Sequence, residues 1–123
     1  MSKRASLALH DEQLAEHGGS DGIRDETLLD SALAKPRNVL AYEDGATLPR
    51  LAASYAFGIA RNHAFVDGNK RTALVVSLSF LRLNGLTLTA SPEDRYETFI
   101  RLAEGSLSEE ELSAWLQAHA VPL

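Results

Sequence analysis

Apolar residues recur along this chain at the three- and four-residue spacing of helices, and rarely at the alternate spacing of strands. This spacing predicts a first helix around Leu7 to Leu14, which ends at the glycine-rich stretch HGGSDG. A second helix is predicted to begin at Asp25, a good capping residue. We expect it to stop by Pro36, because proline lacks the N–H that a helix interior requires.

The helical pattern breaks between Asn38 and Leu48, where RNVLAYEDGATLP combines a short apolar run with an Asp44-Gly45 turn signal. An extended loop or a small hairpin is predicted there. A third helix is then expected to start at Pro49 and to run through RLAASYAFGIARN. An irregular flap thus interrupts an otherwise helical chain.

The segment from Asn69 to Asn84 is predicted to be a fourth helix, with Gly85 as its stop. Its apolar residues cover nearly the whole circumference, namely Leu74, Val75, Val76, Leu78, Phe80, Leu81 and Leu83. A helix that is apolar all round is expected to be buried and central.

The last third of the chain contains a short extended link, LTLTA, and signals for two more helices. Ser91 and Pro92 begin the fifth predicted helix and Gly105 ends it, while Ser108 and Glu111 form a capping-box pattern for the last. The whole pattern predicts an all-α bundle of about six helices with a short flap hairpin, folded as one domain over residues 1–123.

Composition narrows the choice of function. The formal net charge is −5, so the basic face that a general grip on nucleic acid requires is missing, and we expect no direct nucleic-acid binding. The absence of cysteine excludes disulfides and thiol catalysis. No apolar run is long enough to span a bilayer and no signal peptide is visible, so a soluble cytoplasmic protein is expected.

The densest run of reactive side chains, NHAFVDGNKRTA, lies between the third and fourth predicted helices. His63 can accept a proton near neutral pH, and Asp67 offers hard oxygen ligands for Mg²⁺. Gly68 lets the backbone approach a ligand, and the free N–H groups of the next helix favour an anion. Lys70 and Arg71 add positive charge at that same end. These are the parts that phosphoryl or nucleotidyl transfer needs.

Each of these residues also has an ordinary structural explanation. A single histidine is more often structural than catalytic, an Asp-Gly pair is usually a turn, and Asn69 on its own is most often a helix cap. Arg61 fits a phosphate or target contact and a structural salt bridge equally well, and the other three histidines lack ligand spacing. The convergence of so many suitable groups between His63 and Arg71 favours the functional interpretation.

The motif HAFVDGNKRTA resembles the signature of the Fic/Doc superfamily, and more closely that of its Doc (death-on-curing) branch. The stretches GGSDGIRDETLLDSALAKPRN, AYEDG, SFLRLNG and AEGSLSEEELSAWL also resemble parts of Doc-like proteins, so the resemblance covers almost the whole chain. It implies an all-α fold in which His63 takes the proton from a target hydroxyl and Asp67 binds Mg²⁺. The phosphate-holding positions of the family correspond to Gly68, Asn69 and Arg71.

Two departures from the general Fic pattern indicate the reaction. Lys70 stands where adenylyl-transferring members have a second glycine, and Leu74 stands where many Fic enzymes have a further arginine. Doc-type toxins share both features, and the resemblance implies that they bind ATP in the reverse sense and transfer its γ-phosphate. Adenylyl transfer, and a catalytically silent antitoxin-binding module, are the alternatives.

The resemblance also implies partners. Asn38 to Leu48 falls where the family has a flap that aligns the target by strand pairing, so Tyr42 and Glu43 are either target contacts or plain hairpin residues. The implied target is elongation factor Tu, whose modification blocks translation in the bacterial cytoplasm. The self-inhibitory segment of many Fic proteins is missing, since Ile100 stands four residues before Glu104. A Phd-like antitoxin is therefore expected to supply inhibition in trans.

Overall fold

A computed structural model describes all 123 residues and contains six helices and two short strands. The helices are α1 (Lys3–His17), α2 (Glu26–Tyr42), α3 (Leu48–Asn62), α4 (Asn69–Leu83), α5 (Pro92–Glu104) and α6 (Glu109–His119). The strands are β1 (Leu86–Leu88) and β2 (Ala120–Pro122). The predicted all-α class and the six helices are confirmed. None of these helices has the length and apolarity needed to cross a membrane.

Five of the six helices begin at a side chain that accepts a hydrogen bond from the first helical turn. The capping residues are Ser2, Asp25, Thr47, Ser91 and Ser108. The start of α4 is the exception, since its N-cap is Gly68 and no side chain caps it. The helix that follows the motif loop is thus the one whose first N–H groups are left without a side-chain acceptor.

The central helix is α3, which packs against α2, α4, α5 and α6 and buries ten of its 15 residues. Small side chains allow this close packing. A Cβ added at Gly58 would lie 2.9 Å from the Cβ of Ala32 on α2, so only glycine permits the two helices to approach this closely. The expectation that α4 is the fully buried helix was wrong. Its Leu83 is 77% exposed, and only one face of α4 is buried.

Helix α2 continues through Pro36 to Tyr42, so its predicted end was also wrong. Leu29, Ala32, Pro36 and Val39 lie three or four residues apart and form its buried face. A proline inside a helix costs about 3 kcal/mol. Burying one aliphatic side chain contributes roughly 1.5–3 kcal/mol, so a continuous packed face offsets that cost.

The flap hairpin predicted near residues 39–45 is absent. Residues 39–42 are the last turn of α2, and Thr47 already caps α3, so only a short turn joins the two helices. The two strands form elsewhere, where Leu86–Leu88 pairs antiparallel with Ala120–Pro122. This small sheet attaches the end of the chain to the link that follows α4.

Candidate functional site

A cavity of about 440 Å³ opens where the motif loop meets α4 and α5. Its walls consist of His63, the run from Val66 to Arg71, and Tyr96, Ala103 and Glu104 of α5. The structure therefore brings together six of the predicted site residues, which are His63, Asp67, Gly68, Asn69, Lys70 and Arg71. Three others, Arg61, Tyr42 and Glu43, do not line this cavity.

His63 ends α3 in a left-handed conformation, with φ 50° and ψ 50°. It is the one residue other than glycine with a positive φ. The side chain of Arg24 holds this backbone, since its Nε donates to the carbonyl oxygen of His63 (2.6 Å) and its Nη2 to that of Asn62 (2.8 Å). Arg24, which does not line the cavity, thereby fixes the main chain of His63, while the exposed imidazole faces the cavity.

Phe65 is buried and anchors the loop in the core. The side chain of Asn69 closes the loop around it. Its Oδ1 accepts from the N–H of Phe65 (3.1 Å), and its Nδ2 donates to the carbonyl of the same residue (3.0 Å). Asn69 is therefore not the helix cap. Both polar atoms of its side chain hold the loop, and its backbone N–H lies in the uncapped first turn of α4.

The segment that precedes α2 supports the loop from its other edge. Ile23 and Phe65 form an isolated antiparallel bridge. The N–H of Val66 donates to the carbonyl of Gly22 (3.0 Å), and the N–H of Arg24 donates to that of Ala64 (2.8 Å). The motif loop thus has main-chain partners about forty residues earlier in the chain, which restricts its conformation.

Asp67 is exposed in the cavity, and its carboxylate accepts two backbone hydrogen bonds. The N–H of Gly68 donates to Oδ1 (2.8 Å) and that of Ser20 to Oδ2 (3.2 Å). These two bonds hold the pKa of the Asp67 carboxyl below its ordinary value of 3.8, so the group is ionised at neutral pH. Gly19 makes room for it, because a Cβ at that position would lie 2.8 Å from Oδ2.

Positive charge gathers at the uncapped start of α4. The amides of Asn69, Lys70 and Arg71 precede the first hydrogen bond of the helix, which Thr72 donates to the carbonyl of Gly68 (2.9 Å). No acidic residue lies in this first turn, although a helix N-terminus normally favours one. Free N–H groups and two cations that share one cavity form an environment suited to a phosphate.

The residues present fit a magnesium ion that is shared with phosphates. No cluster of three or more histidine, aspartate or glutamate side chains exists that could hold a metal by itself. Asp67 offers one ionised carboxylate beside the anion-binding start of α4. Mg²⁺ is typically held in this way, by one or two carboxylates together with substrate phosphates.

The chain is similar in sequence to proteins of one known family. The Fic/DOC family model matches residues 1–81, a range that contains the whole motif loop. The protein kinase doc of Escherichia phage P1 is 38% identical over 93 residues, which cover 76% of this chain and 74% of that protein. Toxin Doc of Mycolicibacterium smegmatis is 46% identical over 76 residues, covering 59% of this chain and 57% of that protein. The chain belongs to the Fic/DOC family.

Within the Fic/DOC family, both of these relatives are Doc proteins, so the predicted Doc branch is confirmed. The family match runs from α1 into α4. It therefore includes the groups behind the motif loop, such as Ser20 and Arg24, as well as those that face the cavity.

Three of the predicted site residues do not line the cavity of this Fic/DOC protein. Arg61 forms no salt bridge, and its guanidinium lies 5.4 Å from the centre of the Phe57 ring. Glu43 forms a two-pronged ion pair with Arg50, with N–O distances of 3.1 and 2.8 Å. Tyr42, the residue before it, is 87% exposed at the end of α2.

Sequence reasoning missed the residues that support the loop and those of the α5 wall. Gly19 and Ser20 act through their own backbone, and the Arg24 side chain acts on backbone carbonyls, so no side-chain motif reveals these contacts. The wall residues Tyr96 and Glu104 lie some thirty residues after the motif and approach it only through folding. One signal was available in α1, where the polar residues Ser6, His10 and Gln13 recur at helical spacing and are all buried.

Proposed function

We propose that this protein is a Doc-type toxin that transfers the γ-phosphate of ATP to a hydroxyl side chain of a protein target. The observation that carries the proposal is a single cavity. It contains a histidine free to take a proton, an ionised carboxylate, and an uncapped helix start with two cations.

In the proposed reaction, His63 removes the proton from the target hydroxyl. The oxygen of that hydroxyl forms a bond to the γ-phosphorus at the same time. The bond from that phosphorus to the β–γ bridging oxygen breaks, and ADP leaves with the electron pair. Lys70, Arg71 and the backbone amides from Asn69 to Arg71 stabilise the negative charge on the phosphates. Asp67 would hold Mg²⁺, which supplies further positive charge to those phosphates when it is bound.

Lys70 supports phosphoryl rather than adenylyl transfer. Its exposed side chain lines the cavity and occupies space that a glycine would leave open. A lysine ammonium is a compact charge that suits a terminal phosphate with several free oxygens. We therefore place Lys70 among the catalytic residues and propose that it favours binding of the γ-phosphate at the start of α4.

The test uses ATP labelled on either the α- or the γ-phosphate, with Mg²⁺ and purified elongation factor Tu as the target. We expect label on the target from γ-labelled ATP alone, on a hydroxyl residue that mass spectrometry identifies. Label retained only from the α position would overturn the kinase proposal in favour of adenylyl transfer. Transfer to another protein of a cell extract, with none to elongation factor Tu, would reject only the target.

A second surface is suited to the expected antitoxin. A mainly apolar groove of about 510 Å³ lies between α1 and the end of α4, and it contains the exposed Leu83 together with Leu9 and Met1. We propose that an amphipathic segment of a Phd-like antitoxin binds there and inhibits in trans. Leu83→Asp should weaken binding of such a peptide at least ten-fold in calorimetry. Leu40→Asp, which changes an equally apolar exposed residue outside the groove, should not.

A further inference from the structure

One histidine that the proposed reaction does not use lies directly behind the motif loop. His10 of α1 is 2% exposed, and its ring stacks on that of Phe65 with 3.8 Å between ring centres and 10° between planes. Its Nε2 lies 2.8 Å from the backbone carbonyl oxygen of Asp67. A carbonyl can only accept, so Nε2 must carry the hydrogen in this contact.

With this bond, every oxygen of Asp67 has a donor of its own. His10 donates to the main-chain oxygen, Ser20 to Oδ2 and Gly68 to Oδ1. Two of the three donors come from α1 or from the turn that follows it. Leu14, one helical turn after His10, would touch a Cβ at Gly68 at 3.5 Å, and the His10 ring would touch the same Cβ at 3.6 Å. The first helix therefore forms a close-fitting support for residues 67 and 68.

We propose that His10 is a positioning residue for the motif loop. Its hydrogen bond sets where the backbone of Asp67 lies, and hence where the carboxylate and the first amides of α4 are directed. His10 lines no part of the cavity, so it acts through Asp67. The consequence for catalysis rests on the proposed function, whereas the effect on loop order does not.

The competing explanation is that His10 is simply a buried aromatic filler. The two explanations differ in what a phenylalanine would do. His10→Phe keeps the stacking on Phe65 and similar volume but removes the donor, whereas His10→Gln loses the ring and keeps an N–H donor at similar reach. A filler would be replaced well by Phe, and a positioning residue better by Gln. His17→Phe is the matched control, because His17 lies on the same helix at its exposed end.

Amide hydrogen exchange, measured on the protein without nucleotide, reports directly on how well ordered the motif loop is. The amides of Phe65, Val66 and Gly68 in the loop are all hydrogen-bonded and serve as reporters, and those of α3 report on the fold. Losing one hydrogen bond should speed exchange of the reporters roughly two- to ten-fold in His10→Phe, with α3 unchanged. His10→Gln should exchange more slowly than His10→Phe, and His17→Phe should match the wild type.

Transfer kinetics supply the second readout. Loss of a group that orients a metal ligand typically costs 10–100-fold in metal affinity or activity. We therefore expect His10→Phe to lower kcat by about that factor and to raise the Mg²⁺ concentration for half-maximal rate, with a smaller change in KM for the protein target. If His10→Phe fails to fold, His10→Gln and His10→Met give the same comparison between a donor and an apolar residue of similar shape.

Reporter exchange equal to wild type in both His10→Phe and His10→Met would overturn the proposal. So would a His10→Phe variant that exchanges more slowly than His10→Gln. If wild-type protein transfers no phosphate while His10→Phe still loosens the reporters, the proposed function fails and the positioning role stands.

Discussion

The motif loop between α3 and α4 and the short turn between α2 and α3 perform the same topological task, since each joins two packed helices around a glycine of positive φ. They are fixed by different forces. Directional hydrogen bonds from His10, Ser20 and Arg24 hold the loop. The turn is held by charges, because Arg50 pairs with both Glu43 and Glu109, and Lys35 pairs with Glu109 as well.

This difference indicates which of the two connections is held in the more closely defined position. Hydrogen bonds to backbone groups have narrow distance and angle limits, so the loop that carries the reactive side chains is closely positioned. The ion pairs at the turn join partly exposed charged side chains, so salt screens them more than it screens hydrogen bonds to backbone groups. We therefore expect changes at the loop to affect chemistry strongly, and changes at the turn to affect it weakly.

The largest effect is expected from His63→Asn. Asparagine tolerates the left-handed backbone of this position but does not accept a proton near neutral pH. Loss of a general base costs roughly 10²–10⁴-fold, so γ-phosphate transfer should fall by at least a hundred-fold while the melting temperature stays close to wild type. A folded variant with transfer within ten-fold of wild type would remove His63 from the mechanism.

A matched pair of glycine substitutions separates the loop from the turn. Gly19→Ala places a Cβ 2.8 Å from Asp67 Oδ2 at a φ of +123°, whereas Gly45→Ala, at φ +69°, has nothing within 4 Å. Both should destabilise through backbone strain, on the order of 1–3 kcal/mol. Only Gly19→Ala displaces the carboxylate, so we expect it alone to lower transfer, by roughly 10–100-fold.

Chemical denaturation measures the stability of both glycine variants, and steady-state transfer measures their activity. If Gly45→Ala lowered transfer as much as Gly19→Ala, the idea that transfer depends on the exact position of the loop and not of the turn would be contradicted.

A smaller effect is expected at the end of α2. Tyr42 is 87% exposed, so Tyr42→Ala should leave the free energy of unfolding within about 0.5 kcal/mol of wild type. If Tyr42 contacts the target, which is one of the two roles that the family resemblance implies for it, KM for the protein target should rise several-fold. Tyr96→Ala on the cavity wall is the contrasting variant, which should instead raise KM for ATP. An unchanged KM for the target would exclude Tyr42 from recognition.

The smallest expected effect concerns two carboxyl groups with lowered pKa values. Arg50 lowers the pKa of Glu43 below its ordinary 4.5, and backbone N–H groups lower that of Asp67 below 3.8. Each of these two carboxylates therefore stabilises the folded state at a pH above its ordinary pKa. That stabilisation is lost as the pH falls through the lower pKa that the group has in the folded protein. Salt screens the ion pair more than the hydrogen bonds.

NMR titration of the side-chain carboxyl carbons checks this prediction. Raising NaCl to about 1 M, where the Debye length is roughly 3 Å, should move the pKa of Glu43 toward its ordinary value while that of Asp67 stays low. Equal salt shifts of the two groups would contradict the distinction between charge and hydrogen bonding.

Local signals predicted most helix boundaries because those signals are themselves local. The caps Asp25, Ser91 and Ser108 and the stops Gly85 and Gly105 act within one helical turn, so a single stretch of sequence contains the physical cause. The errors at Pro36 and around residues 39–45 arose where packing on α3 overrode a local preference. The buried face that keeps α2 helical to Tyr42 is stabilised by its packing on α3, which lies outside the stretch that contains Pro36.

The residues of the site also fall into two groups, those that a local motif predicts and those that it does not. The motif gave the cavity-facing groups His63, Asp67 and Lys70 because their chemistry is a property of each side chain. Their supports could not be predicted, since the contacts of His10 and Arg24 join residues 57 and 39 positions apart. Only the tertiary fold brings such pairs together.

The two hydrogen bonds between the Asn69 side chain and the Phe65 backbone have an evolutionary consequence. Since the loop is closed by Asn69, Phe65 and groups behind them, the residue at position 70 projects from a frame that it does not help to build. On the proposed function, one substitution at position 70 would change which end of the nucleotide is bound while the hydrogen bonds of the loop remain. A change of reaction type within this fold would then require few mutations, and none of them would have to disrupt the loop.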